Sequence, residues 1–181
     1  MELAASALNI GRVDVVGGDG VWFGDRVSPA GKDALTIMEA GNVVLNLVRP
    51  SASQLGAVLD VATKPILVTA PPALDAALVE KLKKNKSAVA VACEVDDVDG
   101  CVRQVGAMKD LVGKENVLLS MGAGKDREAA TKQLYLSLVK AGWTSADINA
   151  TVGVGAPGAM GRATPGNLAR FMPTGGGRGG N

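Results

Sequence analysis

Short apolar runs alternate with longer amphipathic segments along the chain. The runs that predict strands are Arg12–Val16, Asn42–Val48, Pro65–Thr69, Ala88–Cys93 and Asn116–Ser120. Each is apolar on mostly consecutive positions, which is typical of strands that are covered on both faces of a parallel sheet. Their spacing leaves room for a crossover of the dozen or so residues that a parallel pair needs.

The segments between these runs carry the signals of helices. The predicted helices are Pro29–Ala40, Ser53–Ala62, Leu74–Lys84, Val98–Val112, Lys125–Ala141 and a short Ser145–Ala150. Ser28 is a good N-cap before Pro29, and Gly41 follows the end of that helix. The buried positions expected on the last two long helices are Val102, Val105, Met108, Leu111, Val112, Leu134, Leu138 and Val139.

The chain is therefore predicted to be an α/β protein with about five parallel strands and covering helices over residues 1–150. Residues 151–172 predict a Gly-rich connector with a terminal turn, and residues 173–181 a flexible Gly-rich tail. The sheet is either open and doubly wound, or its edges are covered by another polypeptide. A third alternative is that the chain is one segment of a longer protein.

Composition narrows the classes of partner. The net charge is +1 and aromatic residues make up 3% of the chain, so there is neither a basic field nor a stacking platform for nucleic acid. No apolar stretch approaches the length of a membrane span, and the first residues do not resemble a signal peptide. The two cysteines then indicate free thiols in a reducing, cytoplasmic compartment, with a single disulfide as the alternative.

The chain contains no histidine. This excludes most hydrolytic zinc sites and every Ser-His or Cys-His nucleophile pair. We therefore predict no catalytic residue, no bound metal and no cofactor.

Three motifs have a functional interpretation and a simpler one. The glycines of Gly153–Gly161 have the spacing of a dinucleotide fingerprint, but no acidic residue follows, so a connector is favoured. Val15–Asp25 is either an active-site loop or a turn in which Trp22 and Phe23 cover a barrel mouth or make a subunit contact. The acidic group Glu94, Asp96, Asp97 and Asp99 is either a cation site or the first turn of a helix capped by Asp97.

Several segments, in order, resemble parts of one enzyme family. They are SPAGKDALTIMEAGNVVLNLVRPSASQL, KPILVTAPPAL, LVGKENVLLSMGAG, LVKAGWTSADINAT and GNLARF. Their order and spacing resemble the second half of the renal (membrane) dipeptidase family, whose members are zinc-dependent (β/α)8 barrels. The resemblance implies that this chain is a partial barrel of the TIM type.

The chain departs from that family where its metal site lies. Arg49 and Ala70 stand at positions of metal-binding histidines, and Gly122 stands at the position of an acidic residue. The family's first strand, with its His-x-Asp pair, and the strand with its bridging Glu have no counterpart here. The resemblance therefore implies a barrel without its zinc.

These observations lead to three hypotheses about function. The preferred one is a non-catalytic assembly subunit, a pseudoenzyme, with its sheet edges covered by another chain or by self-association. The second is a small-molecule-binding module at the loops that follow the strands, with the candidate residues Asp19, Asp25, Arg49, Ser51 and Lys125. The third is a dipeptidase whose metal ligands all come from elsewhere. A half-barrel would also leave apolar residues of NVVLNLV and AVAVAC facing outward.

Overall fold

A computed structural model describes residues 12–17, 20–121 and 126–151. The strands are β1 (Arg12–Val16), β2 (Val44–Val48), β3 (Leu67–Thr69), β4 (Ala88–Cys93) and β5 (Val117–Met121). The helices are α1 (Pro29–Ala40), α2 (Ala52–Val61), α3 (Ala76–Asn85), α4 (Val98–Val112), α5 (Arg127–Lys140) and α6 (Ser145–Thr151), and a 3-10 turn covers Lys114–Asn116. Each predicted element is present, with small shifts at several ends. The predicted connector beyond residue 151 and the tail lie outside the described residues.

The five strands form one parallel sheet in the order β1-β2-β3-β4-β5. The prediction of an α/β fold with five parallel strands and covering helices is confirmed. Each strand lies beside its neighbour in sequence, which is the arrangement of a (β/α) barrel and is consistent with part of one.

All the buried apolar side chains of the described helices belong to one core on one side of this sheet. That core joins residues of every helix to one alternating set of strand residues, including Leu45, Leu47, Val68, Val89 and Leu119. A second cluster on the other face consists of strand residues alone. Right-handed crossovers that always step to the next strand place every helix on the same side. The alternative of a doubly wound sheet is therefore wrong.

The centre of the helix-free face is buried, although an outward-facing apolar surface was expected there. Leu67, Ala88, Ala90 and Leu118 are each at most 4% exposed and pack together, with Val44 beside them. The expectation that the apolar residues of β4 on this face would be open to solvent is therefore wrong for Ala88 and Ala90.

Two predicted core positions on the helices are also wrong. Leu134 and Leu138 of α5 are buried, but Val139 is 42% exposed, because the next residue points about 100° further round a helix. Leu111 of α4 is likewise exposed at 37%, whereas Val105 and Val112 are buried.

The two cysteines form a disulfide, so the expectation of free thiols is wrong and the alternative of a single disulfide is the one observed. Cys93 ends β4 and Cys101 lies in the first turns of α4, with 5.1 Å between their Cα atoms. A short loop returns the chain onto the strand that it has just left, and this brings the two buried sulfur atoms together.

The two outer strands of the described sheet differ. β5 is packed against α6, and its residues Val117, Leu118 and Leu119 are buried on both faces. β1 pairs only with β2 among the described strands, and its residues Arg12, Asp14 and Val16 are exposed. The free edge of the described sheet is therefore β1.

Candidate functional site

The carboxyl ends of β1, β2 and β3 are joined by hydrogen bonds that continue past the strands. The N–H of Gly17 donates to the carbonyl of Val48 at 2.6 Å, and the N–H of Arg49 donates to the carbonyl of Thr69 at 2.9 Å. The same relationship holds between the N–H of Ala70 and the carbonyl of Ala90, at 3.1 Å. Since β/α proteins place their functional groups at the carboxyl ends of their strands, this end of the sheet is the candidate site.

The residues that follow β2 and β3 share an unusual backbone conformation. Arg49 and Ala70 both have φ of 51°, in the left-handed region. A side chain with a Cβ is disfavoured there, at a cost of about 1–2 kcal/mol. Strain of this kind at the ends of two adjacent strands is often found at functional sites.

Arg49 is an exposed cation at this edge. Its guanidinium group makes no hydrogen bond or ion pair with another residue in the described part of the chain. Its neighbour Pro50 is buried, so the backbone is held while the guanidinium is presented to solvent. Arginine in such a position is suited to a carboxylate or phosphate group.

Ser51 begins α2 with a capping box. Its hydroxyl accepts a hydrogen bond from the N–H of Gln54 at 3.1 Å, and its own N–H donates to the Gln54 side chain at 3.4 Å. The amide nitrogen of Gln54 also donates to the carbonyl of Phe23. Gln54 thus connects the start of α2 to the β1–α1 loop. The Ser-x-x-Gln spacing in the sequence is a signal of the capping box. No sequence motif indicated the contact of Gln54 with the loop.

Asp25 is brought to the same helix start. The hydroxyl of Ser53 donates to the Asp25 carboxylate at 2.5 Å, and the hydroxyls of Ser51 and Ser53 are 3.0 Å apart. A carboxylate near a helix N-terminus is favoured by the helix dipole. The negative charge of Asp25 therefore lies beside the start of α2, where it disfavours a second anion.

The structure brings some of the predicted site residues together, and others lie outside the described residues. Asp25, Arg49 and Ser51 lie on two neighbouring loops, and Asp25 and Ser51 are linked through Ser53. Asp19, Gly122 and Lys125 lie outside the described residues, as does the Gly153–Gly161 motif.

A row of polar side chains on the helix-free face was not predicted. The side chain of Asn46, which is 3% exposed, donates to the Asp14 carboxylate at 2.9 Å and accepts from the Thr69 hydroxyl at 2.9 Å. Arg12 also binds the Asp14 carboxylate, with Nε–Oδ1 at 2.8 Å. The signal in the sequence is a polar residue at alternate positions within apolar runs, as in RVDVV and VLNLV.

The Trp22–Phe23 pair is part of the core. Phe23 is fully buried, and its ring meets that of Trp22 edge to face with 6.3 Å between the centroids. Phe23 is thus not available to another subunit. Its burial fixes the loop that carries Asp25.

The acidic group after β4 serves as a helix start. The Asp97 carboxylate accepts a hydrogen bond from the N–H of Gly100 at 2.9 Å, so the predicted cap of α4 is confirmed. Within the described ranges, no three acidic or cysteine side chains are grouped as a cation site would require.

The zinc that the family resemblance implies does not fit the residues present. Neither the guanidinium of Arg49 nor the methyl group of Ala70 binds a metal ion, and the chain has no histidine to replace them.

An open groove of about 730 Å³ lies beside this edge, between α2 and α3. The residues that line it include the small residues Gly56 and Ala57 and the acidic residue Asp25. Asp60 and Lys81 cross it as an exposed ion pair with 2.7 Å between Nζ and Oδ1. The mixed charges of the groove do not favour one class of ligand.

Comparisons with known proteins give the chain no family. No family model matches it, and no curated protein sequence is significantly similar to it. Among the helices of the described residues, none combines the length and the apolar character needed to cross a membrane.

Proposed function

We propose that this chain is a non-catalytic assembly subunit built on part of a dipeptidase-like (β/α) barrel. The observation that carries the proposal is the architecture: five parallel strands, with the helices on one face only and with β1 free at one edge of the described sheet. About eight strands close such a barrel, so the five described strands need further strands for closure, and in this proposal another polypeptide supplies them.

The chemistry of the strand ends supports the non-catalytic part of the proposal. Arg49 and Ala70 stand at the family's ligand positions and bind no metal, and their backbone is held by hydrogen bonds to β3 and β4. In this proposal the edge keeps the barrel's geometry without its chemistry. A metal-dependent dipeptidase would need a second chain to supply all of its ligands.

A small-molecule-binding module is the second candidate. The exposed guanidinium of Arg49 favours it, because an exposed cation at the carboxyl ends of parallel strands is suited to an anionic group. The Asp25 carboxylate beside the start of α2 opposes it, since its negative charge repels an anion. The assembly role is therefore preferred.

Native mass spectrometry of the purified chain, together with elemental analysis, tests the proposal. We expect a species heavier than the 18.3 kDa of one chain, without stoichiometric zinc and without dipeptidase activity. A stable 18.3 kDa monomer with no co-purifying protein would contradict the assembly role. Tightly bound zinc with hydrolysis of dipeptides would contradict the non-catalytic role.

A further inference from the structure

The proposed assembly role requires an edge at which a partner can add, and the described sheet has one that is exposed. At β5 the residues Val117 to Leu119 are buried and α6 packs against the strand. At β1 the side chain of Val16 is 62% exposed, and Arg12 and Asp14 are exposed as well. The inference below rests on the proposed function and names the partner for this edge.

The backbone of β1 determines which residues can pair. The N–H of Gly17 points to β2, where it binds the carbonyl of Val48. Because neighbouring residues of a strand point to opposite sides, Val13 and Val15 also point to β2. The N–H and carbonyl groups of Arg12, Asp14 and Val16 therefore point to the free edge.

The side chains at this edge are self-complementary in charge. Arg12 and Asp14 are two residues apart and lie on the same face, where their side chains form an ion pair at 2.8 Å. In an antiparallel pair of identical strands, a two-fold axis at Asp14 would place two carboxylates opposite each other. An axis at Arg12 would place two guanidinium groups opposite each other. Like charges directly opposite are destabilising.

An axis at Val13 gives the favourable arrangement. Each Arg12 is then opposite the Asp14 of the other copy, and both residues carry the backbone groups that point to the free edge. Opposite charges across the strands add to the backbone hydrogen bonds of the two pairs. One register therefore satisfies the backbone and the charges together.

We propose that β1 pairs antiparallel with β1 of a second copy of this chain, with the two-fold axis at Val13. The two five-stranded sheets become one continuous ten-stranded sheet. A contact of this kind is isologous, as most homodimer contacts are.

Charged residues on an edge strand also have a protective role, because they discourage pairing with other chains. If Arg12 and Asp14 have only this protective role, the chain is a monomer, and a variant with one of the two charges reversed does not associate with the variant in which the other is reversed. Pairing of β1 strands and protection against pairing therefore predict opposite results in the same experiment.

The experiment measures self-association by sedimentation for the wild type, Arg12→Asp, Asp14→Arg, and the variant that carries both changes. We expect each single variant to dimerise at least about tenfold more weakly than the wild type, because like charges then face each other twice. The doubly changed variant should dimerise again. An equimolar mixture of the two single variants should form a heterodimer, since the carboxylates at positions 12 and 14 of one chain face the guanidinium groups of the other.

Arg103→Asp is the matched control, because it makes the same charge change at an exposed position of α4. It should dimerise as the wild type does. Formation of the heterodimer also shows that both single variants are folded.

Two outcomes would overturn the inference, and they differ in what they say about the assembly role. If the wild type assembles and both single variants assemble equally well, the interface lies elsewhere and the assembly role stands. If the wild type is a monomer throughout the micromolar range with no other protein bound, both proposals are wrong.

Discussion

An added Cβ at Gly17 would lie 1.9 Å from the carbonyl oxygen of Arg49. The end of β1 therefore passes so close to the end of β2 that no side chain fits between them. The same approach allows the N–H of Gly17 to bind the carbonyl of Val48. The candidate site thus depends on a glycine at position 17.

Gly17→Ala should lower the free energy of unfolding by about 1–3 kcal/mol, because the methyl group meets backbone atoms that cannot move aside easily. Denaturant unfolding measures the change. Gly106→Ala in α4 is the control, since an added Cβ there meets no atom within 4 Å. It should be neutral or stabilising, as alanine favours a helix more than glycine does. Equal effects of the two substitutions would contradict the close approach.

Ala70→Gly should be neutral or stabilising by up to about 1 kcal/mol. Its left-handed backbone, with φ of 51°, is strained for alanine and unstrained for glycine, although glycine also adds entropy to the unfolded chain. Ala57→Gly in the regular helix α2 is the matched control and should cost about 0.5–1 kcal/mol. Thermal unfolding of the two variants distinguishes the signs. A loss of stability for Ala70→Gly as large as that of the control would contradict the strained conformation.

Reduction of Cys93–Cys101 should destabilise the fold without abolishing it. A bridge with a sequence separation of 8 closes a short loop, for which the loop-closure model gives about 2–3 kcal/mol. The measurement combines thiol titration of the denatured protein with denaturant unfolding before and after reduction. A variant with Cys93→Ala and Cys101→Ala should not respond to the reductant. Two titratable thiols in protein purified under air would contradict the bridge.

Because of the Lys114–Asp147 pair, the free energy of unfolding should decrease when the pH is lowered into the acid range. The hydrogen bond from Lys114, at 2.7 Å, and that from Thr144 lower the pKa of Asp147 to about 2. Because the folded state favours the carboxylate, its stabilising contribution is complete above the ordinary pKa of 3.8 and is lost as the pH falls towards 2. The same contact raises the pKa of Lys114, so its contribution is lost only as the pH rises above 10.5.

An NMR titration of the Asp147 carboxyl group tests this pair. In Lys114→Met the pKa of Asp147 should rise from about 2 towards 3.8, whereas Lys140→Met, at an exposed position elsewhere, should leave the pKa unchanged. An unchanged pKa in Lys114→Met would show that the Thr144 contacts alone hold the carboxylate charged.

The sequence determined the elements of this protein because their signals are local. Ser28 before Pro29 marked the start of α1, and the apolar run of Ala88–Cys93 marked β4, both with the observed bounds. The cap of α4 by Asp97 was likewise readable, since a helix start depends on residues within one turn. The order of apolar runs and helices was sufficient for a parallel α/β sheet.

Only the tertiary structure decided how these elements meet. That every helix packs on one face, that Cys93 bonds to Cys101, and that Gly17 passes the carbonyl of Arg49 all depend on contacts between separate segments. The left-handed turns at Arg49 and Ala70 arise because the chain must leave the sheet while its N–H groups remain bound to the next strand. No local pattern of residues encodes such contacts, because their free energy is gained only when distant parts of the chain pack together.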